Sequence, residues 1–316
     1  MRLPGRATSA HRARGLEYQS VLVPLVDDPT AFEAVHVAAR LAAVRRGKVT
    51  LLRVLVVPPE LPLESHLAEQ QAEAERLVAE TAALAESLGV KVSRRVVRAR
   101  HAGLAIVAEA ARRQVDLVTL GAPRSAHRQI FGHTVDYVLK HSTTRVMVAA
   151  GKRRWVPFAG STAVEPGTFR RILVPVKLGP IGEEMLGTAI TLAAGHGATV
   201  EALHAVNVAL ELPLDEELLP DEEERAAAAL AEARLLGAER GVGVETVTVR
   251  TRSIGKAIVE RAAETGADVI VLGSAPRWRR QSRFFSPTVD YVLRRASAEV
   301  LIVAFPKGVL PGEQRR

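Results

Sequence analysis

The stretch Leu272–Phe305, LGSAPRWRRQSRFFSPTVDYVLRRASAEVLIVAF, decides how this chain is read. It continues an apolar run, Asp268-Val-Ile-Val-Leu-Gly273, with the length and β-branched content of a buried strand. An arginine-rich loop follows, then a short helix beginning near Ser286, then a second apolar strand, Val300–Ala304. A strand that passes through a loop into a helix N-terminus is a natural anion site, because free N–H groups and the positive helix end point at the same place. The arrangement occurs once before, in Leu120–Ala149, and Thr134-Val-Asp-Tyr-Val-Leu139 returns unchanged as Thr288-Val-Asp-Tyr-Val-Leu293. The chain is a duplication.

Working outward, the two copies keep a nearly constant offset. Val21-Leu-Val-Pro24 and Ile172-Leu-Val-Pro175 lie 151 positions apart, as do Leu61-Pro-Leu-Glu64 and Leu212-Pro-Leu-Asp215. The offset is 152 at Ile106-Val107 and Ile258-Val259, and 154 at the repeated hexapeptide. That drift places small insertions in two loops of the second copy. A period of this size is too long for a solenoid repeat and fits two whole domains. The chain divides into a basic tail (1–18), a first domain (19–151), a linker (152–168), a second domain (169–306) and a tail (307–316). The linker carries Trp155 and Phe158, aromatic rings expected to pack on a neighbouring surface.

The 316 residues give each domain enough chain to bury roughly two-thirds of its unfolded surface. There is no cysteine, which removes disulfides, thiolate nucleophiles and cysteine metal sites. No apolar run reaches the ~18–20 residues that span a bilayer, so a cytoplasmic protein without a membrane span is expected. The net charge of +8 invites a nucleic-acid reading, but its distribution argues against one. The tails and linker carry +3, +2 and +2, the first copy +4 and the second −3. A duplex-binding domain would put its basic surface on the folded face.

Short apolar runs near 19–26, 49–57, 91–98, 116–120 and 145–149 read as five strands of the first copy. Runs near 171–176, 199–206, 244–250, 268–272 and 300–304 repeat them, with helices between and a long Ala/Glu-rich helix in each copy at 66–88 and 221–240. Strands alternating with helices imply an α/β fold, a doubly wound parallel sheet covered on both faces in each domain. Ligands bind such sheets at the carboxyl ends of the strands, where the strand order reverses. Thr134 and Thr288, each followed by an Asp (Asp136, Asp290), read as a capping hydroxyl and a carboxylate on the helix dipole. Tyr137 and Tyr291, equivalently placed, are expected at a domain interface. The histidines, His36 and His204 among them, never occupy equivalent places and fit no metal spacing. No nucleophile with a paired base can be assembled, and Gly255-Lys256 lacks the phosphate-loop spacing, so a non-enzymatic protein is expected.

Two copies of VLVP/ILVP in the first strand, a long second helix, Leu-Gly after the fourth strand and a late helix-plus-strand resemble the universal stress protein family over most of 19–306. The repeated "LPL-acidic" and "TVDYVL" elements are similar to those of the cytosolic domains attached to amino-acid and cation transporters. The resemblance implies five-stranded parallel sheets of order 3-2-1-4-5 and domain pairing through the fifth strands. It also implies a stress-response role, with an adenine nucleotide (ATP, AMP or a cyclic dinucleotide) in the second domain or none at all. A further homodimer and a membrane-transporter partner are compatible with it.

Nucleotide-binding members of that family resemble G-x2-G-x9-G-[ST] after the fourth strand. The second copy has Gly273, Pro276 where the second glycine belongs, and nine residues to Ser286-Pro287. The first has Gly121, Arg124, and only seven residues to Gly132-His133. The family places an Asp two residues after the first-strand Pro, and here those positions are Val26 and Lys177. The candidate nucleotide or anion positions are therefore Pro175, Val176, Lys177, Gly273, Ser274, Ser286 and Thr288, with Val26, Gly121, Arg124, Gly132 and Thr134 in the first copy. Arg277, Arg279, Arg280 and Arg283 read either as a solvated loop or as side chains that hold an anion in place of the lost glycine. The two apolar fifth strands would be sheet edges, an aggregation hazard unless they cover each other. They are expected to pair, with Tyr137 and Tyr291 near the seam.

Overall fold

The computed structural model describes residues 18–26, 30–65, 67–123, 131–151, 169–194, 197–213, 220–274 and 285–305. The linker aromatics Trp155 and Phe158 lie outside the described residues. The first copy runs β1 (Ser20–Leu25), α1 (Thr30–Ala43), β2 (Lys48–Val56), α2 (Ala68–Ser87), β3 (Lys91–Ala99), α3 (Ala102–Arg113), β4 (Leu117–Pro123), α4 (His133–His141) and β5 (Arg145–Gly151). The second runs β6 (Arg171–Pro175), α5 (Pro180–Ala194), β7 (Thr199–Asn207), α6 (Pro220–Glu239), β8 (Val244–Thr251), α7 (Ile254–Thr265), β9 (Val269–Ser274), α8 (Pro287–Arg295) and β10 (Glu299–Ala304).

The strands form one sheet in the order β3-β2-β1-β4-β5-β10-β9-β6-β7-β8, so each copy has the expected order 3-2-1-4-5. Every contact within a copy is parallel, and only β5 with β10 is antiparallel. The β1–β4 contact, where the order reverses, pairs only Val21 with Leu117 and Leu22 with Val118. It is reinforced from its end: Asp116 accepts from the backbone N–H groups of Gln19 and Ser20 at 2.9 and 2.8 Å. Asp268 does the same for Arg170 and Arg171 at 2.7 and 2.9 Å. Each carboxylate satisfies two donors that the short ladder leaves over, bonds that are stronger for the charge on the acceptor.

The seam has pseudo-two-fold symmetry. Val148 lies opposite Ile302, its equivalent at the offset of 154, with Met147 opposite Val303 and Ala149 opposite Leu301. One apolar layer, under α1, α2, α5 and α6, runs through both copies, and a second, under α3, α4, α7 and α8, does so on the other face. Across the dyad the equivalent rings of Phe131 and Phe285 meet edge to face at 6.0 Å, both buried.

These rings, not the tyrosines, are the aromatic contact of the seam. Tyr137 packs over Gly103 of α3 and Tyr291 over Gly255 of α7, within their own domains. An added Cβ at Gly103 would stand 2.8 Å from Tyr137, and one at Gly255 2.9 Å from Tyr291. The equivalence of the tyrosines therefore reflects a repeated helix–helix contact. The helix caps also differ from expectation. Gly132 and Ser286 hold the N-cap positions in extended conformation, and the Ser286 hydroxyl accepts from Val289 N–H at 3.3 Å. Thr134 and Thr288 fall inside the first turn, where a hydroxyl no longer faces the free N–H groups.

Truncating Phe285 to Ala removes one ring of the seam pair and opens a cavity between the copies. We expect a loss of about 3–5 kcal/mol in urea-induced unfolding, and a change below about 1 kcal/mol would show that the ring pair does not hold the copies together.

Candidate functional site

Because β5 and β10 are antiparallel, the carboxyl ends of the two half-sheets lie on opposite edges of the molecule. The chain therefore has two separate crevices. In the first copy the strand ends bring together Val26, the end of β2 and Gly121. In the second they bring together Pro175, Val176, Lys177, Gly273 and Ser274.

The glycine after the fourth strand has a definite neighbour in each copy. A Cβ on Gly121 would lie 2.0 Å from the carbonyl oxygen of Thr30, so the backbone of α1 rests directly on it. A Cβ on Gly273 would lie 2.3 Å from Ile181 Cγ2 and 3.0 Å from Met185 Cγ, both on α5. The absent side chain admits a helix. Ser274 is buried and its carbonyl accepts from Phe305 N–H at 3.1 Å, closing the end of β10. Arg124, Arg277, Arg279, Arg280 and Arg283 lie outside the described residues. Gly132 is exposed, and Thr134, Ser286 and Thr288 are half-buried at the starts of α4 and α8.

At the first-strand position Val26 is half-buried and Lys177 exposed. The Lys177 carbonyl abuts the first turn of α5 so closely that a Cβ on Gly182 would be 1.8 Å away. Val176 is buried and donates its N–H to Leu203 at 2.8 Å, extending the β6–β7 ladder past Pro175. Next door, Arg53 of β2 donates to the Leu25 carbonyl at 3.0 Å. Its equivalent, His204 of β7, is hydrogen-bonded to the backbone of Val176, and burial pulls its pKa below the ordinary histidine value. The two copies thus tie the same strand end with different side chains.

A groove of about 670 Å³ opens in the first copy between the end of β2 and α2. Val26, Val54, Leu67, Ala74 and Leu77 supply apolar wall, with Arg53, Arg76, Glu73 and Glu80 adding charge. Its size suits a small ligand. Of the residues marked by sequence, Val26 alone lines it. Leu67 and Leu77 were legible as one face of an amphipathic helix, but nothing in their spacing says that this face borders an opening.

A second duplicated feature went unread. Arg100, just past β3, donates to the carbonyls of Val57, Pro58 and Leu61, and Arg252 donates to Leu212 in the second copy. These arginines hold the two Leu-Pro-Leu loops, and the loops present leucines to solvent: Leu61 is 41% exposed, Leu63 38% and Leu212 46%. The offset of 152 between Arg100 and Arg252 was a usable signal.

Perturbed titrating groups lie mostly away from the crevices. Glu109 on α3 is pulled down to about 2, first by its hydrogen bond from Arg112, with Arg113 adding to it. The Arg112 and Arg113 contacts are 2.7 and 2.5 Å. Glu184 of α5 is pushed up by burial, against the opposing pull of Arg145 and Tyr18. Both patterns are those of ion pairs within the fold.

A family model described as the universal stress protein family matches residues 17–150 and 168–304. The chain is similar in fold to a universal stress protein from Archaeoglobus fulgidus DSM 4304, with TM-score 0.61 and 18% identity, covering 90% of this chain and 98% of that one. A putative universal stress protein from Pseudomonas aeruginosa UCBPP-PA14 gives TM-score 0.56 and 18% identity over 93% and 95%. No curated protein matches the chain.

Two outcomes test the local chemistry. Gly121→Ala should cost about 3 kcal/mol because a backbone carbonyl must move, and Gly273→Ala clearly less because Ile181 and Met185 can turn aside. Equal costs would contradict the packing role. Glu109 has a folded pKa below its unfolded value, so its stabilising contribution is full above the unfolded value and is lost as pH falls toward about 2. The melting temperature of Glu109→Gln should therefore fall below that of the native protein at neutral pH, and the gap should close on acidification. A gap independent of pH would exclude the ionic contribution.

Proposed function

The chain belongs to the universal stress protein family, and on that premise we propose that it is a non-enzymatic, cytoplasmic regulatory module of the stress response whose adenine-nucleotide sites are degenerate in both copies. The observation that carries this reading is the contact of α1 with Gly121 and of α5 with Gly273. Where the family's phosphate-binding loop begins, the space beside the glycine is occupied by the protein itself. The substitutions support the same reading: Val26 and Lys177 cannot accept hydrogen bonds from an adenosine as a carboxylate would. No helix among the described residues is long and apolar enough to cross a membrane.

Within this reading the second copy is the better anion binder, because its loop keeps the family length and carries Arg277, Arg279 and Arg280. An adenine nucleotide or cyclic dinucleotide held there would depend on guanidinium groups in place of backbone N–H groups. A second reading is docking on a membrane transporter without nucleotide. It is favoured by the exposed leucines of the Leu-Pro-Leu loops, the element that resembles transporter-attached domains, together with Leu210, 76% exposed.

Calorimetric titration of the native chain with ATP should give a dissociation constant weaker than about 10 μM. Replacing Arg277, Arg279 and Arg280 together by Ala should weaken whatever nucleotide binding is present. Tight ATP binding would refute the degeneracy, and unchanged affinity in the triple variant would remove the loop from the site. Mass spectrometry of molecules released from the purified protein decides between the nucleotide and docking readings.

A further inference from the structure

The seam is symmetric in backbone and asymmetric in charge. Arg145, one residue before the β5–β10 ladder, reaches across the dyad to Glu184 of α5 with Nε 2.8 Å from Oε1. Its guanidinium also lies 5.8 Å from the centre of the Phe305 ring. Tyr18 donates to the same Glu184 carboxylate at 2.6 Å. Tyr18, Glu184 and Phe305 are buried, so these contacts are formed largely out of water.

At the offsets of the duplication the equivalents are Glu299 for Arg145, Glu33 for Glu184, Phe169 for Tyr18 and Gly151 for Phe305. The register centred on Val148 and Ile302 lets each copy be placed against itself in the same geometry. Two second copies so paired would set Glu299 of one beside Glu184 of the other, at both ends of the seam. Phe169 would stand where Tyr18 offers a hydroxyl. Two carboxylates forced together out of water oppose association strongly, because neither charge finds a counterion. Two first copies would set Arg145 beside Glu33, an attractive pair.

We propose that this seam selects its partner by charge: the second copy's edge accepts a strand-five edge with a cation at the position of Arg145 and rejects a second copy of itself. The buried pair thereby serves specificity, the use for which buried ion pairs are best suited. The tethered first copy, at an effective concentration on the order of millimolar, is the natural occupant. A second chain can enter only by contributing its own first copy.

The test uses the full chain. Arg145→Glu gives the first copy the residue that the second copy has at 299, and so builds the rejected pairing in place. Hydrogen exchange of the β5 and β10 amides should become at least about tenfold faster than in the native chain, and adding Glu184→Arg should bring it back to within about threefold. Native-like exchange in Arg145→Glu, or no recovery in the charge-swapped double variant, would overturn the proposal. Should Arg145→Glu fail to fold, Arg145→Glu with Glu184→Gln removes the like charge and carries the same test. Folding with near-native protection supports selection by charge, and failure of this variant too would show that shape, not charge, is what the seam reads.

Discussion

The rest of the structure depends on the antiparallel contact between β5 and β10. Each half-sheet alone would end in an apolar strand with a row of unpaired N–H and C=O groups. Joining the two edges satisfies both rows, and the register places equivalent residues opposite each other at Val148 and Ile302. Two apolar layers then run without interruption through both copies. The edges left open are β3 and β8, which carry Lys91, Arg94 and Arg95 or alternate threonines with charge. Such residues discourage further pairing.

The same contact sets the functional geography. An antiparallel junction between two parallel half-sheets turns their carboxyl ends in opposite directions, so the crevices cannot cooperate by sharing a ligand. Each was free to change separately. The first copy has a groove beside Val26 bordered by Arg53. The second replaces Arg53 with His204 and keeps the longer arginine-rich loop. In both, the first glycine of the family's loop has become a packing position for the following helix.

Duplication also explains how an asymmetric lock arises on a symmetric frame. A homodimer must use every interface residue twice, so a single Arg–Glu contact there has to be self-complementary. Once the copies share one chain they diverge independently, and Arg145 can face Glu184 while its counterpart is Glu299. Burial raises the pKa of Glu184 in spite of Arg145 and Tyr18, which marks the lock as costly in desolvation. Its retained value is in choosing the partner.

Sequence alone determined the duplication, the alternation of strands and helices and the two apolar edges, because these rest on periodicity and repetition along the chain. The repeated hexapeptide and the 151-residue offset of the first strands required no coordinates. The family resemblance added the strand order. The candidate crevices were located to within a strand end, since Val26, Gly121, Pro175 and Gly273 do lie at the carboxyl ends of their strands. Only the tertiary structure decided what those glycines touch, which rings meet at the seam, and that Arg145 finds Glu184. Tyr137 and Phe131 looked equally eligible because both recur at the same offset, and recurrence records that a contact is repeated without saying with what. Contacts between residues far apart in the chain are fixed by the packing of whole helices on the sheet, and that information is carried by no local pattern.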